Sequence, residues 1–167
     1  MRTLKAVAVM MVVLLTLSLA FAGYVFMTAR VSVVDFRVHG LPTTEIPDQF
    51  AHIKAAVENR TFLGTLFTAD PLGEAEDYAL VTYTLRISNN CLAPIDMVEI
   101  QVLPSPDDVL QLGDQSVSSL QPRSQGTVSA AILTRKDAHT VRELIVTYYV
   151  WGVSFTIADV IAAEASS

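Results

Sequence analysis

The chain has 167 residues, 51% of them hydrophobic, and carries 17 acidic against 11 basic side chains for a formal net charge of −6. Past Arg30 the imbalance grows to eight basic against all 17 acidic residues, a net of −9. Such a domain repels phosphate backbones and anionic headgroups, which argues against nucleic acid as a partner and against peripheral lipid binding. Cys91 is the sole cysteine, so no intrachain disulfide can form and the fold must rest on its apolar core.

Taken in chain order, residues 1–5 are a short basic stretch with Arg2 and Lys5, and residues 6–29 are an apolar run without a charge, closed by Arg30. A helix of that length reaches ~36 Å at ~1.5 Å per residue, enough to cross a ~30 Å hydrocarbon core. In lipid every backbone group must be paired internally, so the run is predicted to be a helix, with Thr16, Ser18 and Thr28 bonding back to carbonyls one turn earlier. Arg2, Lys5 and the α-amino group precede it with no acid before Asp35. This bias predicts an N-terminus in the cytoplasm and a main domain outside the cell membrane, the bilayer being the partner of residues 6–29.

The run admits a second reading as a cleaved signal peptide. Ala20 and Ala22, flanking Phe21, form an A-x-A candidate signal-peptidase site before Gly23. The apolar residues Tyr24, Val25, Phe26 and Met27 would then be left as a sticky new N-terminus, which favours the anchor. Both readings place the remaining chain outside the cytoplasm.

From Arg30 the apolar residues alternate. Val34, Phe36 and Val38 are predicted to share one strand face, and His39, Gly40 and Pro42 to end that strand. Ile46, Phe50, Ile53 and Val57 then follow with helical spacing, predicting one short helix that starts at Pro47 behind Thr44 or Glu45 and covers an open end or edge. Residues 60–76 read as irregular. Ala79, Val81, Tyr83, Leu85 and Ile87 form a long alternating set that Asn89 and Asn90 terminate as a turn. Further strands are predicted around Val98, Ile100 and Val102, over residues 109–112 and 116–120, and at Val128, Ala130 and Ile132. The last two are Leu144, Val146, Tyr148 and Val150, and Val153, Phe155 and Ile157, with Trp151 and Gly152 between them as a tight hairpin turn or a bulge that flips the alternation, the hairpin being favoured. Six to eight strands near ten-residue spacing predict a mainly β chain, with an antiparallel β-sandwich over residues 30–160 and a fraying tail over 161–167.

Asn89-Asn90 at a strand end, the strand over 97–103, and Leu120-Gln121-Pro122 leading through Gly126 into the strand over 127–133 resemble a pattern of immunoglobulin-like bacterial envelope domains and the late-embryogenesis-abundant-type sandwich. Arg123 stands where that pattern usually has a glycine. The whole chain also resembles single-pass membrane proteins of Gram-positive bacteria. The resemblance implies an Ig-like ectodomain with an adaptor or structural role and no activity.

Motifs for chemistry are sparse. No Gly-x-Ser-x-Gly elbow, phosphate loop or dinucleotide fingerprint occurs, so no catalytic residue and no cofactor is assigned. His39, His52 and His139 lack a second His or Cys at metal-ligand spacing. Asp107, Asp108 and Asp114, or Glu74, Glu76 and Asp77, are the acidic loops that the alternative reading, a small-ligand or calcium-binding envelope sensor domain, would use, but neither has EF-hand spacing, and no metal site is assigned. Cys91 reads as a small, partly buried side chain. Trp151 at a hairpin tip and the outward-facing Tyr149 are the candidate interaction residues, because rigid aromatics bury much area at small entropic cost. The expectation is a non-enzymatic, anchored domain that engages another envelope protein.

Overall fold

The apolar run is one continuous helix, α1 (Arg2–Met27), in a computed structural model that describes residues 2–113 and 118–162. Thr16, Ser18 and Thr28 donate their hydroxyls to Val12 O, Leu14 O and Tyr24 O at 2.8, 2.9 and 2.8 Å. The helix closes as the N–H groups of Thr28 and Ala29 reach Tyr24 O and Phe26 O, and strand β1 (Val31–Pro42) starts two residues later.

After β1 comes a 3-10 turn (Thr43–Glu45) and helix α2 (Pro47–Glu58) with Pro47 in its first turn. The expected cap at Thr44 or Glu45 is corrected. Ile46 occupies the N-cap without a side-chain bond, and the buried Thr43 hydroxyl instead bonds Tyr78 O (2.9 Å) and Ala75 O, tying the turn to the approach of the next long strand. The strands that follow are β2 (Gly64–Leu66), β3 (Tyr78–Asn89), β4 (Ile95–Val102), β5 (Asp108–Leu112), β6 (Ser118–Leu120), β7 (Gln125–Arg135), β8 (Arg142–Val150) and β9 (Val153–Ala162). Strand β2 lies in the stretch read as irregular. Its three residues are exposed, so no alternation marks it, and it is held only by pairing with β5.

These strands build two antiparallel sheets in the orders β1-β3-β7-β5-β2 and β6-β4-β8-β9. Their inner faces supply the core, led by Val81, Tyr83, Leu85 and Ile87 of β3, Val98, Ile100 and Val102 of β4, Val128, Ala130 and Ile132 of β7, and Leu144, Val146, Tyr148 and Val150 of β8. The period-2 reading held for all four strands, because each has one face on the core.

Among the described residues the register shifts at four places: in β1, in β4, in β5 between Asp108 and Leu110, and in the β8–β9 pair between Leu144 and Val146. In β1, Val33 pairs with Ile87 and Asp35 with Arg86, so Val34 is the extra residue and points to solvent, contrary to its predicted place beside Phe36 and Val38. In β4 the register slips between Ile95 and Val98, with Met97 in the left-handed region at φ 51°, which turns both Ile95 and Val98 inward. Strand β9 runs past Asp159, pairing Ile161 with Glu143 and Ala162 with Arg142, so the expected tail begins later than 161. Residues 163–167, Asp114 and the first part of the strand predicted over 116–120 lie outside the described residues.

A second, smaller core lies on the outer face of the five-stranded sheet. Phe50 and Ile53 of α2 pack there against Leu72, Val109, Leu110 and Leu133. Ile132 and Leu133, adjacent in β7, thus bury on opposite faces. The short helix covers this outer face, over β5 and β7, and not the open end or edge expected of it. The two sheets are also joined by Gln111 of β5. Its amide donates to Ile100 O (3.0 Å) and accepts from Val102 N–H (3.1 Å), occupying the edge of β4 beyond the reach of the short β6.

Candidate functional site

The last turn of α1 belongs to the sandwich. Val25 is 1% exposed within the main core, and Phe26 and Ala29 pack against it. From Leu4 to Phe21 the large apolar side chains are exposed, and the change falls at Ala22, which is half-buried. This corrects the expected sticky N-terminus. Of the four residues 24–27, Val25 and Phe26 are already seated on the domain, and only Tyr24 and Met27 face outward. Ala20 and Ala22, the candidate signal-peptidase residues, lie in the continuous helix at this seam.

An aromatic row lines the junction. Phe26 meets Trp151 edge to face with ring centroids 5.7 Å apart and stacks on Phe155 at 6.4 Å; Phe155 stacks on Tyr148 at 5.6 Å. Trp151 and Gly152 form the expected two-residue hairpin turn, both with positive φ (49° and 79°), the type I′ geometry that matches strand twist. Trp151 is 52% exposed at the tip. Tyr149 is half-buried on the other face of β8, between Asp96 of β4 and Ser154 of β9. The two candidate interaction residues are therefore not on one surface. Burial raises the Tyr148 phenol above its ordinary pKa, with Cys91 adding to the rise and the Val31 backbone opposing it.

The connection after β3 is organised by Asn89, which is fully buried. Its amide nitrogen faces Ala93 O (3.1 Å), Leu120 O (3.0 Å) and Gln121 O (3.0 Å), and its oxygen accepts Cys91 N–H (2.9 Å). Asn90 N–H reaches Arg30 O (3.0 Å), and the Cys91 thiol lies 3.5 Å from the same carbonyl. Cys91 is buried and burial pushes its thiol pKa up, the reverse of an activated thiolate. The dipeptide Asn89-Asn90 signalled a turn, but the four bonds of one buried amide required the fold to bring β6 alongside.

At the far end, Asp108 and Arg142 form a buried, two-pronged pair. Arg142 Nε and Nη2 donate to Asp108 Oδ2 and Oδ1 at 2.8 and 2.7 Å, and Ser105 N–H adds a third bond at 2.7 Å. Arg142 Nη1 also donates to Val141 O (2.8 Å) and His139 O, fixing the β7–β8 connection. Burial alone would raise the Asp108 pKa; the bonds from Arg142, Ser105 and Thr134 outweigh it and hold the carboxyl below its usual range. The bond to Asp108 raises Arg142. Tyr83 donates its hydroxyl to Thr140 O (2.8 Å), and burial pushes its pKa up to about 12.

This pair corrects the calcium reading at Asp107, Asp108 and Asp114. Both Asp108 oxygens are committed to Arg142, and Asp114 lies outside the described residues. Glu76, Asp77, Asp107 and Asp137 do meet around one open depression of about 410 Å³, but Arg135 and Lys136 line it with them. Glu74 pairs with Lys54 at 3.5 Å. Among the described residues no group of three or more His, Cys, Asp or Glu side chains could hold a metal ion; His39, His52 and His139 are all exposed. No protein-family model matches the chain, and no curated protein matches it in sequence.

Proposed function

We propose that the chain is a single-pass membrane protein whose Ig-like sandwich stands outside the cytoplasm and engages or scaffolds another envelope protein without catalysing a reaction. The observation that carries this reading is the solvent-exposed apolar helix. Thr3–Met27 is long enough to cross a bilayer, and none of its most apolar 18-residue window is buried by the protein. In water that surface would be an aggregation liability; in lipid it is solvated. Arg2 and Lys5 before it favour a cytoplasmic N-terminus.

The Ig-like assignment is supported by strand order. Without the short β2 and β6, the sheets β1-β3-β7-β5 and β4-β8-β9 follow the ABED and CFG order of an immunoglobulin constant-type domain. Tethering such a domain raises the effective concentration of a weak contact surface at the membrane.

The test is crosslinking in intact cells, with the protein recovered from carbonate-washed membranes. A specific protein adduct is the expected outcome. Its absence, where an established membrane complex is captured in parallel, removes the partner-binding role. Loss of the chain from washed membranes, or a mature N-terminus at Gly23, removes the anchor.

A further inference from the structure

The geometry points to a lipid-facing end of the sandwich, in which the connections around the end of α1 rest in the interfacial layer of the bilayer that α1 crosses, with Trp151 and Leu92 dipping into it. This deepens the anchor reading and rests on it.

Depth is the first argument. The apolar segment Thr3–Met27 spans ~37 Å against a ~30 Å hydrocarbon core, so its end lies at headgroup level. The Trp151 ring, 5.7 Å from that of Phe26 in the last helical turn, shares this depth, where tryptophan partitions well.

Rigidity is the second. Only Thr28, Ala29 and Arg30 separate α1 from β1, Val25 is locked in the core, and Arg30 O is held by Asn90 N–H. Asn89 then links the connection after β3 to the one after β6 through Gln121 O, and its own N–H reaches Ser124 O (2.9 Å). The domain has no loose linker on which to swing away from the bilayer.

Charge is the third. Residues 20–34, 88–95, 120–127 and 149–155, which form this end, contain no Asp or Glu. Their only charges are Arg30 and Arg123, both exposed and suited to lipid phosphate. The first acids further up are Asp35 and Asp96, and much of the negative charge lies in the distant connections, at Glu45, Glu74, Glu76, Asp77, Asp107 and Asp137. The net charge of the domain, read from sequence as repelling lipid, is therefore segregated away from the helix end.

Side-chain choice is the fourth. Leu92, Trp151 and Val153 are 42, 52 and 47% exposed here. Trp151 sits at φ 49° in a turn position where Asn, Asp or Gly would be least strained. The large aromatic held there at conformational cost packs one side on Phe26 and leaves the other half free for the interfacial layer.

Trp151 is the only tryptophan, so its fluorescence reports this end alone. The full chain would be reconstituted into phosphatidylcholine vesicles containing lipids brominated either near the headgroup or near the bilayer centre. Strong quenching by the shallow bromines, weaker quenching by the deep ones and protection from aqueous iodide are expected. Bromine quenches on contact, so shielding by Phe26 cannot imitate that pattern. Full iodide access without bromolipid quenching, in protein that stays in the vesicles after a carbonate wash, overturns the inference while leaving the anchor intact. Extraction by carbonate overturns both. A photo-crosslinker at position 151 that traps a protein instead of lipid in native membranes assigns this end to a protein partner and overturns it as well.

Discussion

At the scale of single residues, buried polar side chains tie together connections that are distant in sequence. Asn89 satisfies three carbonyls and one amide N–H in a buried connection. Asn89→Ala strands those groups without water, and each buried orphan costs about 1–3 kcal/mol, so a loss of at least about 4 kcal/mol is expected in urea unfolding. Asp108 and Arg142 are a different case, since desolvation opposes much of their attraction. Asp108→Ala alone leaves a buried guanidinium and is expected to cost about 3–5 kcal/mol. Asp108→Leu together with Arg142→Met removes both charges and is expected to cost less, the remainder coming from Ser105 N–H and the Val141 and His139 carbonyls that lose a partner. The folded-state pKa of Asp108 is depressed, so the unfolded chain binds its proton first. Its contribution is complete above the unfolded value of about 3.9 and is withdrawn as pH falls through the lower folded value. Denaturation midpoints measured through the acid range should fall less steeply in the double variant than in the parent chain.

Among the elements, α1 is divided between two environments. Its first five turns expose apolar surface, while its last turn is a plug in the sandwich. A chain starting at Gly23 keeps Val25, Phe26 and Ala29 and is expected to fold as a soluble domain. One starting at Arg30 loses all three and should be less stable by about 3 kcal/mol, since burying one Val or Phe is worth roughly 1.5–3 kcal/mol. Calorimetry of the two truncations reads the difference directly. Equal stability would mean that the last turn contributes no core. Gln111 illustrates another element-level device, a side chain that completes a sheet edge where the neighbouring strand is too short.

For the whole molecule, the anchor reading fixes an axis: basic N-terminus, apolar helix, a sandwich end free of acids, and an acidic far end. The exposed His39 and the buried Cys91 allow its orientation to be checked. In intact cells, His39→Cys is expected to react with a membrane-impermeant maleimide, while the parent chain, whose sole thiol is buried, stays unlabelled until denatured. Labelling of His39→Cys only after the cells are opened would reverse the topology.

The sequence by itself determined what depends on local periodicity. Twenty-odd uncharged apolar residues can bury their backbone only as a helix, and strands with one buried face must alternate, so α1 and the inward sets of β3, β4, β7 and β8 were legible. The parity reversal across Trp151-Gly152 was legible too, but it fits a bulge as well as a hairpin, and the pairing of Val150 with Val153 decides for the hairpin. Bulges at Val34 and Met97, the short β2, the commitment of Asp108 to Arg142 and the hub at Asn89 were not. Each depends on a partner distant in sequence, and composition is silent about such pairs. The candidate site divides in the same way. Trp151 could be singled out as an exposed aromatic tip, but its neighbour Phe26 lies 125 positions earlier, inside a run whose residues look alike to any local pattern. Only the tertiary structure decided that the end of the helix is core, because burial is set by what the rest of the chain packs against it.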